Sequence, residues 1–211
     1  MTGAATAGGS QLLWFVSRGS GLVLLVTLSV VVALGVATRL GSAPFRLPRF
    51  VTTELHRTLS LFALALLALH VTTALLDPYV SIGWLATVVP FTSPYRSRVI
   101  ALGTLAVDLI GAVIVTSLLR NRLGYRVWRA VHWCAYLAWP LAMVHALQAG
   151  PDSRLWWAGA LEWASIGVVA TALVARVLAA LRRADAGSPK GRGPTSSRTP
   201  KKPPLLGERA G

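Results

Sequence analysis

The chain has 211 residues, of which 54% are apolar, with mean hydropathy +0.59 and a formal net charge of +14. That is the composition of an integral membrane protein and excludes an ordinary soluble core. The single Cys134 excludes an intramolecular disulfide, and its apolar flanks suggest a packing role. No G-x-G-x-x-G opens a strand–helix unit and no P-loop occurs, so nothing is built to bind a nucleotide, and no nucleic-acid partner is expected.

In chain order, residues 1–10 are small and polar and read as a frayed, disordered N-terminus. They lack the basic start of a signal peptide, so the first apolar segment is expected to be a retained span. Span one covers Leu12–Ala37 and carries Arg18 within Ser17-Arg18-Gly19-Ser20-Gly21. Thr38–Phe50 is a basic loop with Arg39, Arg46 and Arg49, broken by Pro44 and Pro48. Span two, Glu54–Asp77, holds His56 and His70. The connection Pro78–Arg98 is rich in proline and aromatics (Tyr79, Trp84, Phe91, Tyr95), with a short interfacial helix expected at Ile82–Val89. Span three runs Val99–Leu119 and contains Asp108. A short basic turn, Arg120–Arg129, leads into span four, Tyr125–Gln148, which holds His132 and His145. After the turn Pro151–Arg154, span five covers Trp156–Leu181 and includes Glu162. The tail from Arg182 has eight Lys/Arg against two acids among Pro, Gly and Ser, and reads as disordered over 183–211. The fold class is therefore all-α, a five-helix transmembrane bundle over residues 11–182.

A histidine inside a membrane span is costly and points to function. The four histidines are the only ones in the chain, and they fall in two pairs, 14 and 13 residues apart. At about 1.5 Å per residue the rises are about 21 Å and 19.5 Å. Parallel spans would set His56 level with His132 and His70 level with His145. Two stacked bis-imidazole sites follow, a ligand set that suits an electron-carrying haem. Phase is the difficulty. Fourteen residues bring His56 and His70 within about 40° of one another, whereas thirteen rotate an ideal helix by about 220°. Pro140 lies between His132 and His145 and is a candidate kink that would re-aim one imidazole.

Loop charge orients the spans. Loops one–two and three–four and the tail are basic, which places the N-terminus outside and the C-terminus in the cytoplasm of a cell-membrane protein. Spans two and four then run in the same direction, as the ligand pairing requires.

These features resemble the ferric reductase-like transmembrane domain family. The family includes the membrane parts of ferric reductases and NADPH oxidases, and the haem-bearing membrane subunit of the bacterial methionine sulfoxide reductase system. The resemblance rests on the two histidine spacings, on the intervening span, and on the stretches LLDPYVSIGWLATVVPFTSPYR and LGYRVWRAVHWCAYLAWPLAMVHAL, within about residues 10–182. It implies two b-type haems, His56 with His132 holding the cytoplasmic-side haem and His70 with His145 the outer one. It implies electron transfer across the bilayer to an external acceptor. Larger members append flavin and nicotinamide domains. Here only the tail follows, so the donor is expected to be a separate flavoprotein or a quinol. A haem subunit feeding a separate periplasmic reductase, such as methionine sulfoxide reductase, is the alternative within this class. A histidine-lined metal transporter is the alternative outside it, disfavoured because Leu, Ala and Trp rather than carboxylates and thiolates surround the histidines.

Other residues carry paired readings. Arg57, Arg126 and Arg129 lie near the cytoplasmic histidines, as propionate partners or as positive-inside anchors. Arg18 is a propionate partner of the outer haem or a snorkelling cation. Asp108 is a proton relay or, more simply, a buried protonated carboxyl. Glu162 carries less weight still. Trp156 and Trp157 read as interface anchors, and Trp133 and Trp139 as packing on porphyrin or between helices.

Overall fold

The computed structural model describes residues 2–40, 48–78, 80–150 and 155–186, with side chains from 11 to 184 within those ranges. Pro44, Arg46, Tyr79, the Pro151–Arg154 turn and the tail beyond 186 lie outside the described residues. Six α-helices follow in order: α1 Thr2–Leu40, α2 Arg49–Leu76, α3 Ser97–Leu118, α4 Arg120–His132, α5 Ala135–Ala149 and α6 Trp156–Ala186. A single 3-10 turn, Trp84–Thr87, occupies the α2–α3 connection, inside the stretch expected to form an interfacial helix. It is pinned to α3 by the Thr104 hydroxyl, which donates to the Ala86 carbonyl at 2.5 Å.

Four helices are long and apolar enough to cross a membrane: Gln11–Leu40, Arg49–Leu76, Ser97–Leu118 and Trp156–Ala184. The pair α4 and α5, bent by 43°, passes the same test only when taken together, as a broken span or a re-entrant pair, so the described residues hold four to five spans. The protein is thus a multi-pass helical membrane bundle. Its surface fits lipid rather than water: Leu61, Phe62, Leu118, Val174 and Val177 are all exposed. Hydroxyls along the spans are satisfied locally, as Thr27 by Val23, Ser29 by Leu25 and Thr73 by Leu69, each donating to the carbonyl four residues back.

Helix α1 is the hub. It packs on α2, α6 and α5, while α3 packs on α5 and α4. Its buried Leu24, Leu25, Leu34 and Val36 supply much of the core. The histidine-bearing α2 and α5 are both braced by α1, so their ligands face each other across a gap.

Helix α1 runs from Thr2, upstream of the span Gln11–Leu40. One local expectation needs correction. The basic turn Arg120–Arg129 is helical, interrupted at Gly124, whose φ of 78° only glycine adopts without strain. Tyr125, the expected start of span four, follows that interruption.

Span four is not one helix kinked at Pro140. Pro140 lies within α5, and the break falls at Trp133–Cys134, directly after His132. There the backbone tightens: the amides of Trp133, Cys134, Tyr136 and Leu137 donate to Ala130, Val131, Trp133 and Cys134, each three residues back. Such a stretch turns about 120° and rises about 2.0 Å per residue. The bonding between His132 and His145 thus departs from the ideal α repeat at a point upstream of Pro140, where the two helices meet at 43°.

Candidate functional site: two facing histidine pairs

The four histidines meet as two pairs. The His56 and His132 ring centroids lie 6.4 Å apart, with planes at 64°. Those of His70 and His145 lie 6.5 Å apart, with planes at 81°. The pairing by depth that parallel spans require is therefore the one observed.

Those separations discriminate between coordination geometries. Two imidazoles on opposite sides of one metal ion, each nitrogen about 2.0 Å from it, set their centroids about 6.3 Å apart. A tetrahedral pair at the same bond length closes that distance to about 5.1 Å. Both centroid separations lie close to the first value. Among the described residues, no third His, Cys, Asp or Glu joins either pair to make a metal-binding group.

Three rings are held from behind. The Nδ1–H groups of His56, His70 and His145 donate to the carbonyls of Val31 (3.0 Å), Ser17 (2.8 Å) and Val99 (2.8 Å). A carbonyl only accepts, so Nδ1 carries the proton and Nε2 keeps the lone pair a metal needs. His132 differs. Its Nδ1 is buried with no hydrogen-bond partner, and the ring stacks on Trp128 at 5.0 Å and 29°.

The His70–His145 pair, the one expected on the outer side, opens into a cavity of about 420 Å³ lined by α1, α2, α3, α5 and α6 and by the α2–α3 connection. Its walls are mainly Leu, Ile, Val and Ala, and its polar groups include Arg18, Asp77, Tyr95, Arg96 and Glu162. An apolar cavity with a few convergent polar groups is the form of a small-molecule or cofactor site. Arg18, expected near the outer ligands, is there. Its guanidinium donates to the Ala149 carbonyl at 3.0 Å and lies 5.7 Å from the centroid of the Trp14 ring. Gly150 makes room for it: a Cβ at that position would overlap the guanidinium. Arg96, missed in the sequence, donates to the same carbonyl at 3.4 Å. It lies in a loop, where helical periodicity gives no direction. Two guanidiniums thus meet at the C-terminal end of α5.

The arginines expected beside His56 and His132 are placed differently. Arg57 is exposed, with Glu54 at 3.9 Å. Arg126 is exposed, and Arg129 sits 5.4 Å from the Tyr125 ring centroid. None of the three is brought against His56 or His132. Trp133 and Trp139 do not line the outer cavity; they border a second one, of about 360 Å³, with Tyr136, Pro140 and Arg176. Asp108 is exposed on α3 rather than buried, while Glu162, given less weight, is buried and lines the outer cavity.

Comparison with known proteins gives one match. A family model described as ferric reductase like transmembrane component matches residues 20–143. That range contains His56, His70 and His132 and stops two residues short of His145. No curated protein and no solved structure matches.

Proposed function

The chain belongs to the ferric reductase-like transmembrane component family, and on that premise we propose that it is a di-haem b-type cytochrome carrying electrons across the bilayer. The observation that carries this reading is the facing of the two histidine pairs, 6.4 and 6.5 Å between centroids. Bound haem supplies a reversible one-electron iron couple at each site. The chain's own residues supply the rest. His56 with His132 would hold one haem on the cytoplasmic side, and His70 with His145 the other on the outer side. Backbone carbonyls fix the tautomer of three of these histidines. The apolar walls keep water from the outer site, and Arg18 and Arg96 offer charge-assisted hydrogen bonds to its propionates. The two sites, about 21 Å apart along α2, divide the membrane into two shorter intervals.

The electron donor in this reading is a separate cytoplasmic flavoprotein or a quinol, and the acceptor is external. The basic loops set the direction, with the N-terminus outside and the C-terminus cytoplasmic. The spacing favours this assignment over a metal transporter, because a pathway built for hydrated cations offers more than two donors at each stage.

Electron transfer is tested in proteoliposomes with trapped ferricyanide. Reduced flavin added outside should bleach the trapped ferricyanide when the protein is haem-loaded, and not with the His70→Ala variant. Equal bleaching by both would contradict the proposal.

A further inference from the structure

Each of the three anchored imidazoles lies on a glycine. A Cβ at Gly21 would sit 2.9 Å from Cε1 and 3.0 Å from Nδ1 of His70; one at Gly103 would sit 2.9 Å from both atoms of His145. At Gly35 the nearest approach is 3.3 Å, to Cε1 of His56. In all three cases the carbonyl that accepts from Nδ1 belongs to the residue four before the glycine: Ser17, Val31 and Val99. That carbonyl sits one turn before the glycine on the same helix face. Removing the side chain there lets the ring lie against the backbone and reach it.

We propose that Gly21, Gly35 and Gly103 are positioning residues for the axial ligands, each forming a notch that fixes the plane of one imidazole. The proposal rests on the haem reading above and extends it to residues that never touch the metal. The sequence carries its own trace of the device. Gly21 and Gly35 are 14 residues apart on α1, the same interval as His56 and His70 on α2. Gly35 receives the first of those histidines and Gly21 the second, the order expected of antiparallel neighbours. Gly103 repeats the arrangement on α3 for His145. The glycine contacts include no notch for His132, the ring whose Nδ1 has no partner. The outer pair is thus held on both sides and the inner pair on one.

The test uses full-length protein and three readouts: haem per chain, the ferric low-spin electron paramagnetic resonance spectrum, and the midpoint potentials. The spectrum reports the angle between axial ring planes, which a purely structural role for the glycines would leave unchanged. Gly19→Ala and Gly111→Ala are controls on α1 and α3, with no atom within 4 Å of the added methyl. Both should match the wild type. Gly21→Ala and Gly103→Ala should each lose the outer haem, about half the total, with the inner signal intact as an internal check on folding. Gly35→Ala needs its neighbour to yield by only a few tenths of an ångström. It should keep both haems and shift the inner signal alone. Notch variants that behave like the controls, or that lose both haems together, would overturn the proposal. A wild type without two low-spin signals would instead sink the haem reading.

Discussion

His70→Ala and His145→Ala should each lose the same haem and keep the other, and so should His56→Ala and His132→Ala for the second haem. Facing rings share one site: His70 with His145 at 6.5 Å and His56 with His132 at 6.4 Å. Mutation of residues behind a metal ligand commonly costs 10–100-fold in affinity, so removal of the ligand itself should cost at least that. Each single variant should therefore retain about half the haem. The double variant His70→Ala/His145→Ala should match either of its singles, since both act on one site. Haem content and a redox titration of the residual haem check this. Matching defects for His56 and His145 would contradict pairing by depth. A difference is expected within the inner pair. His56 is tied to Val31, whereas His132 Nδ1 has no partner, so His132→Ala releases a ring that was not anchored from behind.

Insertion of one alanine between Ala142 and Met143 should abolish the outer haem and spare the inner. The insertion lies downstream of the break at Trp133–Cys134 and upstream of His145. One added residue turns the rest of α5 by about 100° and advances it about 1.5 Å. His145 would leave both His70 and the Val99 carbonyl, and the Ala149 carbonyl would leave Arg18. His132 precedes the insertion and should be unaffected. The optical spectrum should show the remaining haem at its wild-type potential. An outer haem retained at its wild-type potential would mean that helix phase does not set the site.

Much of this architecture is legible in the sequence. The five apolar stretches correspond to the four long helices and the bent pair, and the two histidine intervals suffice to pair the ligands by depth. What the sequence hides is hidden for physical reasons. An ideal helix repeat cannot anticipate the 3-10 stretch after His132, so the phase of His145 looked wrong and Pro140 looked responsible. The second halves of three ligand interactions are backbone carbonyls, which leave no side-chain signature; only the glycines mark them. Arg57 follows His56 directly, about 100° round the helix, and is exposed beside Glu54. Arg96 belongs to a loop, and only the fold brings it beside Arg18 at Ala149. Trp128, rather than Trp133 or Trp139, is the indole that stacks on one of the four paired histidines, His132. It lies one turn before His132 on the part of span four expected to be a turn.

The central claim is that this single chain holds two haems, each between two histidines. Quantifying extracted haem against protein in the purified wild type tests it most directly. The account predicts two non-covalently bound b-type haems per chain, both low-spin when oxidised. One haem per chain, or a bound transition metal without porphyrin, would contradict it.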